Sequence, residues 1–168
     1  MTDEAVTALA EPSQRLVARL VDTLIVGVPL ATAATEIFPR ETAQTVVAPI
    51  AFAAVYLVYE AVQLAVWGRT VGKRLTGIRV VSADGGPLRV PQVLVRSAIY
   101  AVPPAARPIP VLNVLAGIFW LAEIGLIFEG DLHQALHDRA AGTLVIDVRS
   151  RPRPEPVTDP EDTPLSDV

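Results

Sequence analysis

Three carboxylates stand inside long apolar stretches of this sequence and are the side chains best placed to do chemistry: Asp22, Glu60 and Glu123. A carboxylate in the middle of a bilayer is costly unless it faces protein, water or a counter-ion. Such residues often pass protons or bind cations, so one interpretation is a proton or cation relay inside a small helix bundle. The other is structural, because polar groups buried in a membrane need hydrogen-bond partners in any case.

Asp22 follows two basic residues, Arg15 and Arg19, on one face of a predicted helix. An arginine on the preceding turn can hold the carboxylate through charge-assisted hydrogen bonds. Two hypotheses stay open for this group: an ion pair that fixes the end of the helix, or a carboxylate that titrates or binds an ion. On the last apolar stretch, Gly117 shares a face with Glu123 and would permit the close approach of another helix.

A basic segment follows the second apolar stretch and contains Arg69, Lys73 and Arg74. Its two glycines resemble a phosphate-binding loop, but three residues instead of four separate them, and Arg74 replaces the Ser or Thr that would bind magnesium. Contacts to anionic lipid headgroups explain these bases better. We therefore expect a lipid bilayer with anionic headgroups as the partner, and no nucleic acid.

Little in the sequence points to catalysis or to a metal. The chain has no Cys, which excludes thiolate ligands and a Cys nucleophile. His133 and His137 are spaced as in a zinc-protease helix, but Gln134 takes the place of the catalytic Glu and no third ligand is evident. We expect no enzymatic activity, no metal site and no cofactor.

The composition indicates which elements must position the three carboxylates. Of the 168 residues, 51% are hydrophobic and 19% are charged, which is too apolar for a typical soluble domain. Three stretches approach the length of a membrane-spanning helix, at about 16–38, 46–67 and 111–128. A shorter helix at 91–104 contains Arg96; it either lies in the membrane interface with that side chain reaching the headgroups, or forms a hairpin with the last span.

A small β element and two tails complete the predicted domains. Residues 76–90 read as a β-hairpin turning at 84–86, and 143–148 would add a third strand on the same side. The fold class is therefore an all-α integral membrane bundle with a small cytoplasmic β-hairpin or three-stranded element, over 14–149. The tails, 1–13 and 150–168, are acidic and, at the far end, rich in Pro, and we expect both to be disordered.

The distribution of charge predicts the orientation. Without its acidic tails the chain is basic, with 12 Lys and Arg against 10 Asp and Glu over 15–149. Bases cluster before the first span and after the second, whereas Arg40 alone lies between them. Because positive loops stay inside, the N-terminus is expected to be cytoplasmic. A hairpin of 91–104 with the last span would return the C-terminus to the same side.

Three segments, in this order, resemble the RDD family of bacterial multi-pass membrane proteins: RLVARLVD at 15–22, GRTVGKRLTGIRVV at 68–81 and LHDRAAGTLVI at 136–146. That family is named for an Arg and two Asp, which match Arg15, Asp22 and Asp138, with Arg19 as the alternative for the Arg. The resemblance implies a location in the bacterial inner membrane and a polar cluster of these three residues at its inner face.

The resemblance implies little about activity, since most members are uncharacterised and some have been proposed to act in cation/proton antiport. Our leading expectation is a multi-pass inner-membrane protein of unknown molecular activity, whose motif charges are structural or regulatory. One alternative is a Na+ or Li+/H+ transporter subunit using Asp22, Glu60 and Glu123, which would need a homo-oligomer in so small a chain. Another is a membrane-anchored interaction module that recruits a partner through the 150–168 tail.

Overall fold

The computed structural model describes residues 9–129, 132 and 134–149 of the chain. Six α-helices, one short 3-10 helix and two strands follow one another along these residues. They are α1 (Pro12–Ile37), α2 (Arg40–Trp67), α3 (Val71–Thr76), β1 (Ile78–Ser82), α4 (Val90–Ala101), the 3-10 helix (Pro103–Ala106), α5 (Pro110–Ile127), α6 (Leu136–Ala141) and β2 (Thr143–Asp147). The 150–168 tail, most of the 1–13 tail and His133 lie outside the described residues.

Three of the described helices, α1, α2 and α5, are long and apolar enough to cross a membrane. This confirms the three long apolar helices expected from the sequence, although α1 and α2 each begin several residues earlier than predicted. Most residues in their apolar windows face outward instead of into the bundle. An exterior this apolar suits contact with lipid, because soluble monomers rarely expose large continuous apolar patches.

Helix α4, the 3-10 helix and α5 form a hairpin. Helix α4 packs along α2 and α6, and the 3-10 helix also packs on α2. Arg96, on α4, is 1% exposed and therefore does not reach outward from an interfacial helix. The hairpin brings the end of α5 back to the end of the bundle where α1 begins. We call this the charged end, and the end that carries residues 38–47 and 103–109 the opposite end.

The β element has two strands in the described residues, not the predicted three. β1 and β2 pair antiparallel, with Ile78 opposite Asp147 and Ser82 opposite Thr143. The predicted strand at 143–148 forms as β2, but the second arm of the predicted 76–90 hairpin does not, because the chain turns after β1, at Gly85 (φ 77°), and then enters α4 at Val90. Pro87 and Pro91 have no N–H to give a strand ladder, and proline suits the first turn of a helix.

Residues 9 and 10, where the described part of the chain starts, form backbone hydrogen bonds with β2 on the edge that does not face β1. Leu9 forms an isolated antiparallel bridge with Ile146, and the Ala10 N–H donates to the Val145 carbonyl at 2.9 Å. Helix α1 then begins at Pro12. Residues 9–13 therefore belong to the folded part of the chain, whereas the sequence placed them in a disordered tail.

Gly72 sets the distance between α3 and α1. A Cβ at this position would lie 2.2 Å from the Ala18 carbonyl oxygen, well inside contact distance. The Gly72 N–H also donates to Asp22 Oδ1 at 2.8 Å. Only a residue without a side chain allows this approach, so the second glycine of the basic segment serves helix packing.

Substituting Gly72→Ala should therefore force α3 away from α1 and break the hydrogen bond to Asp22. We expect a loss of about 2 kcal/mol or more in the free energy of unfolding, since overpacking alone costs about 1–3 kcal/mol. Thermal unfolding of the purified protein in detergent measures this. Gly117→Ala is the matched control, because a Cβ there meets no atom within 4 Å. Equal unfolding temperatures for the two variants would contradict the packing role of Gly72.

Candidate functional site

Eight charged side chains from α1, α2, α3, α4, α5 and α6 meet inside the charged end. We call them the charge network. It contains four cations, Arg15, Arg19, Lys73 and Arg96, and four carboxylates, Asp22, Glu60, Glu123 and Asp138. Seven of them are buried, and the side chain of Arg19 is 13% exposed. Because the signs balance, the network is neutral when all eight groups are charged.

Asp138 is held by two arginines from different helices. Arg15, in the first turn of α1, donates to Asp138 Oδ2 at 3.2 Å and to the Val145 carbonyl at 3.2 Å. Arg96 donates to Asp138 Oδ1 and to the Thr143 hydroxyl. Burial alone would raise the pKa of Asp138, but the positive charges, Arg96 first, outweigh it and hold that pKa below its usual value. The first and last segments of the fold are thus joined at one carboxylate.

Glu60, on α2, lies at the centre of the network and is fully buried. Arg19 donates to its Oε1 at 3.1 Å and Lys73 at 3.0 Å, and Arg96 Nε approaches within 4.0 Å. The prediction that Lys73 faces the headgroups is corrected here. Helix α3 turns this side chain inward, where it is 3% exposed. Burial lowers the pKa of Lys73 to about 8, although Glu60 opposes the change.

Asp22 is held by neutral donors and not by an arginine as predicted. It accepts hydrogen bonds from the Tyr59 hydroxyl at 2.7 Å, the Thr70 hydroxyl at 2.5 Å and the Gly72 N–H at 2.8 Å. Arg15 and Arg19, the two bases predicted on the same helix face, pair with Asp138 and Glu60 instead. The three motif residues therefore share one end of the bundle, but Asp22 occupies its own site beside the Arg15–Asp138 pair.

Glu123, near the end of α5, binds the start of α6. It accepts a hydrogen bond from the His137 N–H at 3.0 Å and contacts the Nδ1 of the same residue. On the other side of the ring, His137 Nε2 lies 2.9 Å from Arg19 Nη2. Since the guanidinium can only donate, Nε2 accepts the hydrogen bond from Arg19. The ring proton is therefore on Nδ1, which donates to the Glu123 carboxylate. Burial lowers the pKa of His137, so the ring is a neutral link between Arg19 and Glu123.

A continuous path of polar contacts joins the three carboxylates that the sequence suggested as a relay. The path runs from Glu123 through His137, Arg19, Glu60, Lys73 and Thr70 to Asp22. Its widest step is 3.5 Å, between Lys73 Nζ and the Thr70 hydroxyl. The carboxylates do not touch one another, so every step passes through a cation, a hydroxyl or an imidazole.

Sequence reasoning missed two members of this arrangement. Arg96 was expected to reach the headgroups or lie in a hairpin, and its pairing with Asp138 has no local signal in the sequence. His137 was considered as a metal ligand, with His133, and not as a link between Arg19 and Glu123. In the part of the chain that the structure describes, no group of three or more His, Cys, Asp or Glu residues could hold a metal ion.

A cavity of about 700 Å³ lies between α1, α2 and α5, on the side of the charge network that faces the opposite end. Its walls include Thr35 and Arg107 towards the opposite end and Thr23 and Trp120 at depth. At this deep end, the Tyr100 ring stacks on Trp120. The centroid of the Tyr100 ring lies 3.8 Å from the Arg19 guanidinium carbon. Gly117 lines this cavity too, so within the chain it faces open space and not the close helix approach that we predicted.

Comparison with known proteins identifies the family. The model of the RDD family matches residues 9–142, which include all eight residues of the charge network. The chain belongs to the RDD family. No match is found among curated proteins or among solved structures. The family match thus confirms the resemblance.

The neutral state of His137 predicts how stability depends on pH. Because the folded chain lowers the pKa of this ring below 6.5, the unfolded chain takes up the proton first as the pH falls. The contribution of this group to the free energy of unfolding is fully present above about pH 6.5 and is lost as the pH falls below that value. We expect the wild-type unfolding temperature to fall between about pH 7.5 and about pH 5.5, and His137→Asn to fall less steeply over the same range. Identical slopes would contradict the assignment.

Proposed function

We propose that this RDD protein is a multi-pass protein of the bacterial plasma membrane with a cytoplasmic N-terminus. The three candidate spans and the family support membrane insertion. Orientation is supported by the bases, since Arg69, Arg74 and Arg79 lie at the charged end, whereas Arg40 and Arg107 lie at the opposite end. The α4–α5 hairpin returns the chain to the charged end, so the C-terminus would be on the same side as the N-terminus.

Within the membrane, we propose that the charge network acts as a structural lock for the cytoplasmic ends of the helices. The observation that carries this is the internal pairing of all four carboxylates, three of them by cations or by His137 and Asp22 by three neutral donors. The charges are thus satisfied without a bound ion. In this proposal the motif charges set the geometry of the cytoplasmic face, and whatever partner or signal the protein serves acts on that face.

A second candidate is Na+ or Li+/H+ transport, and two observations favour it. The polar path from Glu123 to Asp22 contains Lys73, whose pKa of about 8 brings it within reach of proton exchange near neutral pH. The cavity gives access from the opposite end, extending about 18 Å from Thr35 to Thr23 by helical rise. Transport would still require the Tyr100 and Trp120 rings to move, and in so small a chain a homo-oligomer.

Proton flux in proteoliposomes separates the two candidates. The structural proposal predicts no Na+- or Li+-dependent proton movement above that of empty liposomes. It also predicts that Asp22→Asn lowers the free energy of unfolding by about 2 kcal/mol, because an amide cannot accept all three hydrogen bonds. Asp84→Asn is the control, since its carboxylate is exposed, pairs with the exposed Arg89 and accepts a hydrogen bond from the Gly86 N–H; we expect a much smaller loss of stability than for Asp22→Asn.

The opposite result would be flux in the wild type and in Asp84→Asn that disappears in Asp22→Asn while the unfolding temperature stays unchanged. That outcome would overturn the structural proposal and establish transport. Flux in the wild type that is lost together with the fold in Asp22→Asn would also count for transport, because the structural proposal predicts no flux in the wild type.

A further inference from the structure

A second pocket, of about 430 Å³, opens where the chain leaves α2 at the charged end. Trp67, the last residue of α2, forms one wall, and the segment 86–88 forms another. Three arginines from three different elements line it: Arg69 from the turn after α2, Arg74 from α3 and Arg79 from β1. We call this the arginine pocket.

The backbone around Gly68 holds the three arginines together. Gly68 ends α2 in the left-handed conformation (φ 68°), which reverses the chain towards α3. The Val80 N–H then donates to the Gly68 carbonyl at 2.9 Å, so β1 is fixed beside this turn. A Cβ at Gly68 would lie 3.3 Å from the Val80 carbonyl oxygen. The first glycine of the basic segment thus builds the pocket, as the second builds the α1–α3 contact.

The arginine side chains are arranged around Trp67. The Arg74 guanidinium carbon lies 4.5 Å from the Trp67 ring centroid, a cation–π distance. Arg79 Nη2 donates to the Trp67 carbonyl at 3.5 Å. Arg69 Nε is buried and has no hydrogen-bond partner in the described part of the chain. Several guanidinium N–H groups therefore remain available to a ligand.

The pocket carries positive charge that no carboxylate among the described residues neutralises. No acidic residue lines it, and in the described part of the chain none of its three arginines lies within 4.0 Å of a carboxylate. Asp84, the acidic residue that follows β1 along the chain, pairs with Arg89 at 2.8 Å. The contrast with the charge network is sharp, because all four cations there lie close to internal carboxylates.

We propose that the arginine pocket binds a phosphate-bearing anion. Planar guanidinium groups match phosphate oxygens two at a time, and three of them around one pocket favour that anion over a single carboxylate. The anion would come from an acidic phospholipid headgroup or from a free phosphate compound. Trp67 at the end of a span is typical of the headgroup region of a bilayer. This site is separate from the charge network and holds whether the network is structural or carries ions.

Tryptophan fluorescence tests the pocket. The chain has two Trp residues, so Trp120→Phe leaves Trp67 as the single reporter. The full-length protein in neutral detergent is titrated with short-chain phosphatidylglycerol, with short-chain phosphatidylcholine and with inorganic phosphate. We expect a saturable change in Trp67 emission with phosphatidylglycerol, weakened about fivefold by Arg79→Gln and about a hundredfold when all three arginines become Gln. Arg139→Gln, an exposed charge outside the pocket, is the matched control.

The three titrants distinguish the sources of the anion. Saturation by phosphatidylglycerol alone assigns the pocket to an acidic lipid, and saturation by inorganic phosphate assigns it to phosphate in general. Binding that is equal for phosphatidylglycerol and phosphatidylcholine, or that Arg79→Gln and Arg139→Gln weaken equally, would overturn the proposal. Native mass spectrometry of the protein with Trp120 intact gives an independent count of bound phosphatidylglycerol for wild type and the triple variant. Equal counts would overturn it as well.

Discussion

The fold depends on satisfying one fully buried carboxylate, Glu60. Removing a charge from water costs several kcal/mol, and attraction to counter-charges offsets this only where geometry and hydrogen bonds are good. Glu60 meets that condition through cations on α1, α3 and α4, namely Arg19, Lys73 and Arg96. If α1, α3 or α4 moves away from α2, Glu60 loses one of its three positive partners. One side chain thus fixes the relative positions of four helices.

The remaining charges extend this constraint to the ends of the chain. Arg96, which approaches Glu60 through Nε, also pairs with Asp138 through Nη1. Asp138 in turn pairs with Arg15 at the start of α1. His137 connects Arg19 to Glu123 and so ties α5 to the same centre. The antiparallel pairing of β1 with β2 then closes the charged end. The opposite end lacks such a network among the described residues, and there the α5 helix stands apart from α1 across the large cavity.

The elements that could be predicted from the sequence are those whose signal is local. Long apolar runs identified the three candidate spans, and β-branched residues identified both strands. The sequence placed both strands in one β element, but it did not show that β1 pairs directly with a segment more than 60 residues later and that the chain between them enters a helix instead of a hairpin strand. Lys73 was misplaced for a related reason. A base after a span usually faces the headgroups, and only the position of α3 against α1 shows that this one faces Glu60.

Within the candidate site, the family motif identified residues but not partners. Arg15 and Asp138 meet, whereas Asp22 turns to Tyr59, Thr70 and Gly72. Spacing along one helix favoured a pair between Asp22 and one of the two arginines before it, yet donors from α2, from the start of α3 and from the residue before α3 bind that carboxylate instead. The basic segment shows a similar division, because Lys73 serves the interior while the arginines on either side of it line a pocket at the surface.

A double-mutant cycle between Glu60 and Lys73 tests the central claim most directly. Glu60→Gln and Lys73→Met each leave the network with an unbalanced buried charge, and we expect each to cost about 3–5 kcal/mol of unfolding free energy. The double variant restores neutrality, so its cost should fall short of the sum of the two by about 1–3 kcal/mol. Costs that add to within about 0.5 kcal/mol would contradict the claim that these buried charges hold the helices together by neutralising one another.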